Sequence, residues 1–277
     1  MSDSRALRRA LVEKLRRDGQ IRSERVAEAF LAVPREAFVP GVPLDEVYRS
    51  SEAILTKRVD GVGVSSASAP DVMAVMLEQL DVRPGMRVLE IGAGTGYNAA
   101  LLAHLVGSSG SVVSLDIDAD LVEGAREHLR SAGLDANVTV LQGDGALGHA
   151  ARAPYDRIIL TVASRDLAPA WREQLAPDGR LLLPLAIRGS LRCVLFEVRA
   201  DHLVTTALGC CSFIPLRGVL AMESTRVPMD SRGEIVIGLA DDAAAAPPGA
   251  LNWLVEGLTS EATGVRTGVD RIRGGLH

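Results

Sequence analysis

Apolar residues recur along this chain first in a helical rhythm and then in short continuous runs. Leu7, Leu11 and Leu15 fall at i, i+4 and i+8 and predict an amphipathic helix over 4–18, with Gly19 just past its last turn. A second helix is predicted from Ser23, whose hydroxyl suits an N-cap; Val26, Phe30 and Val33 share one face and Pro34 stops it. From Arg35 through Tyr48 to Ile54 neither rhythm holds, and the segment reads as loop. Helical spacing returns in Val72, Met73, Met76, Leu77 and Leu80, behind a proline, Pro70, that is well placed in a first turn.

The runs begin at residue 87. Val88-Leu-Glu-Ile91 and the segments 111–116, 138–142, 156–161 and 180–185 read as strands, with helix formers between them at Ala99 to Ala103 and over 119–132. Strands alternating with helices are βαβ units, and runs apolar on both faces suit a buried parallel sheet. The expected fold class is therefore α/β, a doubly wound and mostly parallel sheet of Rossmann-like form. Segments 191–199 and 203–208 then follow with only Ala200-Asp201-His202 between them, a spacing that admits an antiparallel hairpin and no crossover helix. Phe213-Ile-Pro-Leu216 adds an apolar edge segment, and Ala243 to Ala250 reads as a linker before a short helix over 251–258 and a mobile glycine-bearing tail. The chain thus divides into an N-terminal helical cap (1–60), a core (61–220) and a C-terminal extension (221–277).

Composition narrows the class. With 277 residues and 47% hydrophobic content, the chain can bury one large core with appendages. A net charge of -5 speaks against general nucleic-acid binding, which needs a basic surface. The first helix is basic (Arg5, Arg8, Arg9, Lys14, Arg16, Arg17), which reads as a solvated face opposite its leucines. Cys193, Cys210 and Cys211 form neither a disulfide framework nor a zinc set, and five scattered histidines show no ligand spacing, so no metal is expected and a cytoplasmic location fits. No apolar run approaches the ~20 residues of a membrane helix, so no membrane association is expected. Oligomeric state leaves no mark in these patterns.

Candidate chemistry concentrates in 87–103, a strand, a glycine turn and a helix. Gly92, Gly94 and Gly96 let the backbone turn sharply and approach a ligand, and the helix start behind them offers unpaired N–H groups. Asp116 closes the next strand about 20 residues further on, the separation at which an acid grips ribose hydroxyls. Nicotinamide and flavin enzymes use such turns too. Here, however, the spacing is G-x-G-x-G, with the third glycine one residue early for the dinucleotide pattern. Glu90 stands where a carboxylate would face a ligand's ammonium group, and Asp144, in Gly143-Asp-Gly145, is either an acceptor for an adenine amino group or an ordinary turn residue. An adenosyl ligand with a cationic amino-acid end and no pyrophosphate, S-adenosylmethionine, fits this set. The expected cofactor residues are Ser66, Glu90, Gly92, Gly94, Gly96, Asn98, Asp116, Ile117, Gly143, Asp144, Gly145 and Thr161. The serine run at 62–70 admits two readings, an anion-holding helix start with Ser65, Ser66 and Ser68 as donors, or plain capping.

Val33-Pro-Arg-Glu-Ala-Phe-Val-Pro40, Ser66-Ala-Ser-Ala-Pro70, Val88-Leu-Glu-Ile-Gly-Ala-Gly-Thr-Gly-Tyr97, Gly143-Asp-Gly145, Ala153-Pro-Tyr-Asp156 and Gln174-Leu-Ala-Pro-Asp-Gly-Arg-Leu181 together resemble the protein-L-isoaspartate O-methyltransferase family. That resemblance implies a class I methyltransferase fold with an antiparallel edge hairpin, and methyl transfer from S-adenosylmethionine to a carboxylate of a peptide or protein. It makes Ser68 the active-site serine orienting that carboxylate, assisted by helix N–H groups after Pro70, with Ser65, Ala69, Pro70 and Asp71 as substrate-binding neighbours. Ser66 and Ala67 depart from the family's usual Thr-Ile, and the extension departs from its usual length. Both features resemble the branch that tailors ribosomal peptide natural products, which implies a chosen aspartate of a modified precursor peptide, esterified on the way to aspartimide or isoaspartate. General isoaspartyl repair is the alternative, and a non-catalytic cofactor-binding scaffold is an alternative of another class.

Overall fold

Successive residues of the central strands bury into two different cores, which accounts for their continuous apolar runs. In β3 (Arg87–Ile91) Val88 enters one apolar cluster and Leu89 and Ile91 the other; in β4 (Ser111–Asp116) Val112 and Val113 divide the same way. A computed structural model describes residues 3–187, 190–200, 202–221, 224–228 and 236–240 of the chain. With β5 (Val138–Gln142), β6 (Tyr155–Leu160), β7 (Leu175–Ile187), β8 (Ser190–Arg199) and β9 (His202–Cys210) these strands form one seven-stranded sheet of order β5-β4-β3-β6-β7-β8-β9. The five strands from β5 to β7 are parallel, and β8 and β9 add antiparallel pairs at the edge, with Arg199 opposite His202. The chain leaves β3 toward β4 and β5 and then returns to β6 on the other side of β3. The carboxyl ends of β3, β4 and β6 therefore border the crevice where open α/β sheets bind ligands.

One face of the sheet carries the helical core. α5 (Tyr97–Val106) is buried along nearly its whole length because it lies beneath further helices: Leu101 and Leu102 share a cluster with Leu11, Val12 and Leu15 of α1 (Ser4–Arg17) and Phe30 of α2 (Glu24–Ala32). α4 (Pro70–Leu80) and α6 (Ala119–Ser131) complete this side, and the short α7 (Pro169–Glu173) anchors Trp171 on the other. The N-terminal helices share this core, and residues up to Ala221 form one unit. Arg8, expected on a solvated face, bonds instead to the Tyr48 hydroxyl at 3.1 Å and the Glu36 carboxylate at 3.1 Å, tying α1 to the segment after α2.

The largest surprise follows the segment expected to be loop. α3 (Leu44–Val47) is followed by an antiparallel hairpin, β1 (Ile54–Val59) and β2 (Val62–Ala67), so strand structure begins before residue 60 and the serine run lies mostly in a strand. Asp60 and Gly61 turn it with φ of 50° and 78°, the pair of left-handed residues a two-residue hairpin needs. Residues from Met222 onward form a second unit, in which β10 (Ser224–Pro228) pairs with β11 (Val236–Ala240). The linker at 243–250, the helix at 251–258 and the tail lie outside the described residues.

Candidate active site

The glycine turn is built around contacts that a side chain would destroy. Gly92 has φ of 101°, and a Cβ there would stand 2.7 Å from Thr161 Oγ1 and 2.9 Å from Val162 Cγ1. The Gly92 and Ala93 N–H groups donate to the Leu115 carbonyl at 2.8 and 2.9 Å, and the Thr161 hydroxyl donates to the Gly92 carbonyl at 2.6 Å. These bonds lash the turn across the ends of β3, β4 and β6. Gly94 faces β2: a Cβ on it would point at the Ser66 carbonyl, 3.6 Å away, and at Ser65 Oγ, 3.7 Å away.

Between that turn and β2 lies a cleft of about 780 Å³, counting its open mouth. On its floor the structure gathers Gly92, Gly94, Asn98, Asp116, Ile117 and Thr161, with Gly143 and Gly145 beside them; Ser65, Ser66 and Ser68 form the facing wall. Six expected residues lie elsewhere. Gly96 is the N-cap of α5, behind the turn. Ala69 lines a neighbouring groove together with Ser68, Leu55 and Phe213; Pro70 is buried at the start of α4; and Asp71 borders a separate cavity beside Gln79 and Cys193. Glu90 and Asp144 also lie off the cleft's lining.

Glu90 does not face the cleft. It is 0% exposed, lies beneath the floor, and accepts from Asn98 Nδ2 at 2.8 Å and from the Ser114 hydroxyl. Burial, partly offset by these two donors, pushes its pKa up to about 7. Alternation along β3 puts Glu90 on the Val88 side of the sheet, against Asn98 of α5, while Leu89 and Ile91 enter the other core. Its partner Asn98 lines the cleft; with Nδ2 committed to Glu90, its Oδ1 is buried without a protein partner. Asp144 caps a 3₁₀ turn, accepting from Ala146 N at 2.9 Å and from Val219 N at 2.7 Å, so the turn reading describes its contacts. Asp116 does reach the cleft. Its carboxylate accepts from Gly94 N at 2.9 Å and Asp118 N at 3.2 Å, while burial holds its pKa above the ordinary value against those bonds.

The first turn of α4 offers the ligand less than its position implied. Pro70 has no N–H, Asp71 N donates to the Ser50 carbonyl at 2.9 Å, and Val72 N donates to the Asp71 carboxylate at 2.7 Å. The expected assistance from helix N–H groups is therefore absent, because the chain satisfies them internally. The serine wall is supported instead by Arg35, from the motif after α2. Its guanidinium is 0% exposed, donates to the Ser68 and Ala67 carbonyls at 2.9 and 3.3 Å, and lies 5.1 Å from the centre of the Tyr97 ring. Sequence reasoning also passed over Arg217, at the cleft's rim, which bonds Asp118 at 2.8 Å; Lys57 reaches the same carboxylate at 2.7 Å. The apolar edge segment at 213–216 proves to be part of the rim, where Pro215 bridges to Ala163 beyond β6. Asp60-Gly61 was the available sign of the hairpin; the contacts of Arg35 and Arg217 span tens of residues and left none.

Order of strands, switch-point cleft and glycine turn define a class I S-adenosylmethionine-dependent methyltransferase fold. The profile of the protein-L-isoaspartate(D-aspartate) O-methyltransferase family matches residues 6–221. The Methanopyrus kandleri protein-L-isoaspartate O-methyltransferase is 42% identical over 220 residues, 78% of this chain and 95% of its own length; the Hyperthermus butylicus enzyme is 40% identical over 222 residues, 77% and 90%. A solved protein-L-isoaspartate O-methyltransferase superposes with a TM-score of 0.71 at 33% identity, covering 77% of this chain and 67% of that one. A Plasmodium falciparum structure, determined with S-adenosyl-L-homocysteine, gives 0.67 at 20% identity and speaks for the fold. The chain belongs to the protein-L-isoaspartate O-methyltransferase family and is an S-adenosylmethionine-dependent transferase. Among the described residues no helix is long and apolar enough to cross a membrane.

Proposed function

We propose that this enzyme methylates the free carboxylate of isoaspartyl residues in peptides and proteins. The observation that carries the reading is the facing of two walls across one cleft: the glycine floor with Asp116 and Asn98, and the hydroxyl wall with Ser68. S-adenosylmethionine, when bound, supplies a methyl group on a cationic sulfur, which leaves as S-adenosylhomocysteine once a carboxylate oxygen has taken the methyl.

The chain's own residues bind and orient. Asp116, at the end of β4, presents acceptors for ribose hydroxyls, and the unpartnered Asn98 Oδ1 suits a donor of the cofactor. Gly94 leaves the gap to Ser65 and Ser66 open. Ser66, Ile117, Gly143, Gly145 and Thr161 complete the cofactor's surroundings. No general base is required, because an acceptor carboxylate is already ionised at neutral pH. Ser68 donates a hydrogen bond that fixes which oxygen attacks, and the enclosing walls exclude water; alignment then supplies most of the rate. Ser65 supports this wall by accepting from Thr56 Oγ1 at 3.0 Å.

A second reading rests on a specific observation. The family match ends at residue 221, while the chain continues through a second unit of its own, Met222–His277. A dedicated peptide substrate, with one aspartate chosen in a modified precursor, would use that unit for recognition. Incubation of the full chain with S-adenosylmethionine and matched isoaspartyl and aspartyl peptides, read by mass for ester gain or later water loss, separates the readings. Repair predicts methylation of many unrelated isoaspartyl peptides and little of their aspartyl twins. Inertness toward all isoaspartyl peptides, with turnover of one constrained aspartyl peptide, would establish the dedicated enzyme instead.

A further inference from the structure

The acceptor is an anion, yet the wall proposed to receive it presents neutral hydroxyls, and the first N–H groups of α4 are consumed within the protein. Positive charge must come from elsewhere. On the elements around the cleft, Lys57 is held between Asp118 and Asp120, each at 2.7 Å, and Arg217 is held by Asp118. Arg35 differs. Its guanidinium is sealed from solvent, donates to two carbonyl oxygens and interacts with the Tyr97 hydroxyl, with no carboxylate partner among the described residues. The neighbouring acid, Glu36, is already engaged by Arg8 and the Tyr48 hydroxyl. The Arg35 Nε is buried without a partner as well.

Resting on the function proposed above, we infer that Arg35 is the positioning residue for the acceptor: it fixes the backbone of Ala67 and Ser68 from behind and supplies the buried positive charge that draws the isoaspartyl carboxylate to Ser68. Two features make the arrangement effective. A charge in a poorly polarisable interior acts over longer distances than one in water, and it is little screened by salt. The planar fork also grips two successive carbonyls while its central carbon lies over the ring of Tyr97, a residue that itself lines the cleft, so the serine wall and the α5 side are joined through one side chain. An uncompensated buried cation costs stability, and an anionic ligand arriving at Ser68 offsets that cost.

The test separates charge from scaffold. Arg35→Gln keeps amide donors for the carbonyls and drops the charge; Arg35→Lys keeps the charge and drops the fork. Each full-length variant, saturated with S-adenosylhomocysteine, is titrated with an isoaspartyl peptide and with the same peptide carrying neutral isoasparagine. Wild type should bind the carboxylate peptide at least about tenfold more tightly. Arg35→Gln should lose that preference to within about twofold, with kcat/KM for the carboxylate peptide down about 10- to 100-fold and S-adenosylhomocysteine affinity within about twofold of wild type. Arg35→Lys should keep the preference while kcat falls. Equal weakening of both peptides in Arg35→Gln, as mere loosening of the fold would give, or an unchanged preference, overturns the assignment. If Arg35→Gln does not fold, Arg35→Lys decides: loss of preference with the charge retained is the overturning result. A wild-type enzyme indifferent to the two peptides refutes the isoaspartyl reading itself, a distinct outcome.

Discussion

The two walls of the cleft are made in opposite ways. The heart of the floor is local: β3, the turn and α5 are continuous in sequence, and the turn's geometry is dictated by glycine at φ of 101° and 51°, with Asp116 and Thr161 brought to it by the neighbouring strands. The serine wall is assembled from afar, since β2 is placed by β1, by an arginine 33 residues before Ser68, and by contacts across to the glycine turn. A turn fixed by its own backbone suits a cofactor held in one pose, and a wall held by distant side chains suits the orienting of an acceptor. Substitutions in the first should therefore cost cofactor affinity, and in the second, turnover.

The sharpest way to break this contrast is Gly92→Val. The branched side chain meets Thr161 and Val162 and a backbone conformation that L residues avoid, so affinity for S-adenosylhomocysteine should fall about 1,000-fold by calorimetry, combining strain and overpacking. An affinity near wild type would show that the floor is not the cofactor's seat. Glu90→Gln tests what lies beneath. Between its ordinary 4.5 and about 7, the folded chain holds a proton that the unfolded chain has released, so Glu90 lowers stability as pH rises through that window. The variant, neutral throughout, should match wild type near pH 4 and exceed it near pH 8 by up to about 3 kcal/mol in chemical denaturation. A parallel shift at both pH values would refute the buried acid's role.

On the other wall, Ser68→Ala should lower kcat about 30-fold and leave cofactor affinity within about twofold, in steady-state and calorimetric assays. Equal losses in both would dissolve the division between the walls. The smallest effect belongs to the rim. Arg217→Ala removes a partly exposed pair with Asp118, which retains Lys57, so KM should rise only about two- to fivefold, less at high salt. A change insensitive to salt would point to a contact other than this ion pair.

The same contrast explains what was legible in the sequence. The parallel strands, α1, α2, α4 and the edge hairpin follow from periodicity and from short connections, and the structure places them with shifts of a few residues at their ends. The glycine turn and Asp116 were readable because their chemistry is set by backbone geometry and spacing. Glu90 misled because adjacency to the glycines says nothing about which side of the strand faces the cleft; alternation sends it inward to Ser114 and Asn98. Asp71 looked like part of the serine motif, but the turn of α4 carries it to another surface. The β1–β2 hairpin was hidden by weak alternation in its strands, although Asp60-Gly61 marked the turn. Arg35 was visible only as part of a motif. Its function depends on burial and on two carbonyls more than thirty residues away.

The most direct measurement is a crystal structure of the full chain with S-adenosylhomocysteine and an isoaspartyl peptide. The account predicts the adenosyl group on the Asp116 and Asn98 side, and the acceptor carboxylate within hydrogen-bond reach of Ser68 Oγ, one oxygen directed at the cofactor's sulfur. A carboxylate held away from Ser68, with the cofactor seated as expected, would contradict the division of the cleft into a cofactor floor and an acceptor wall.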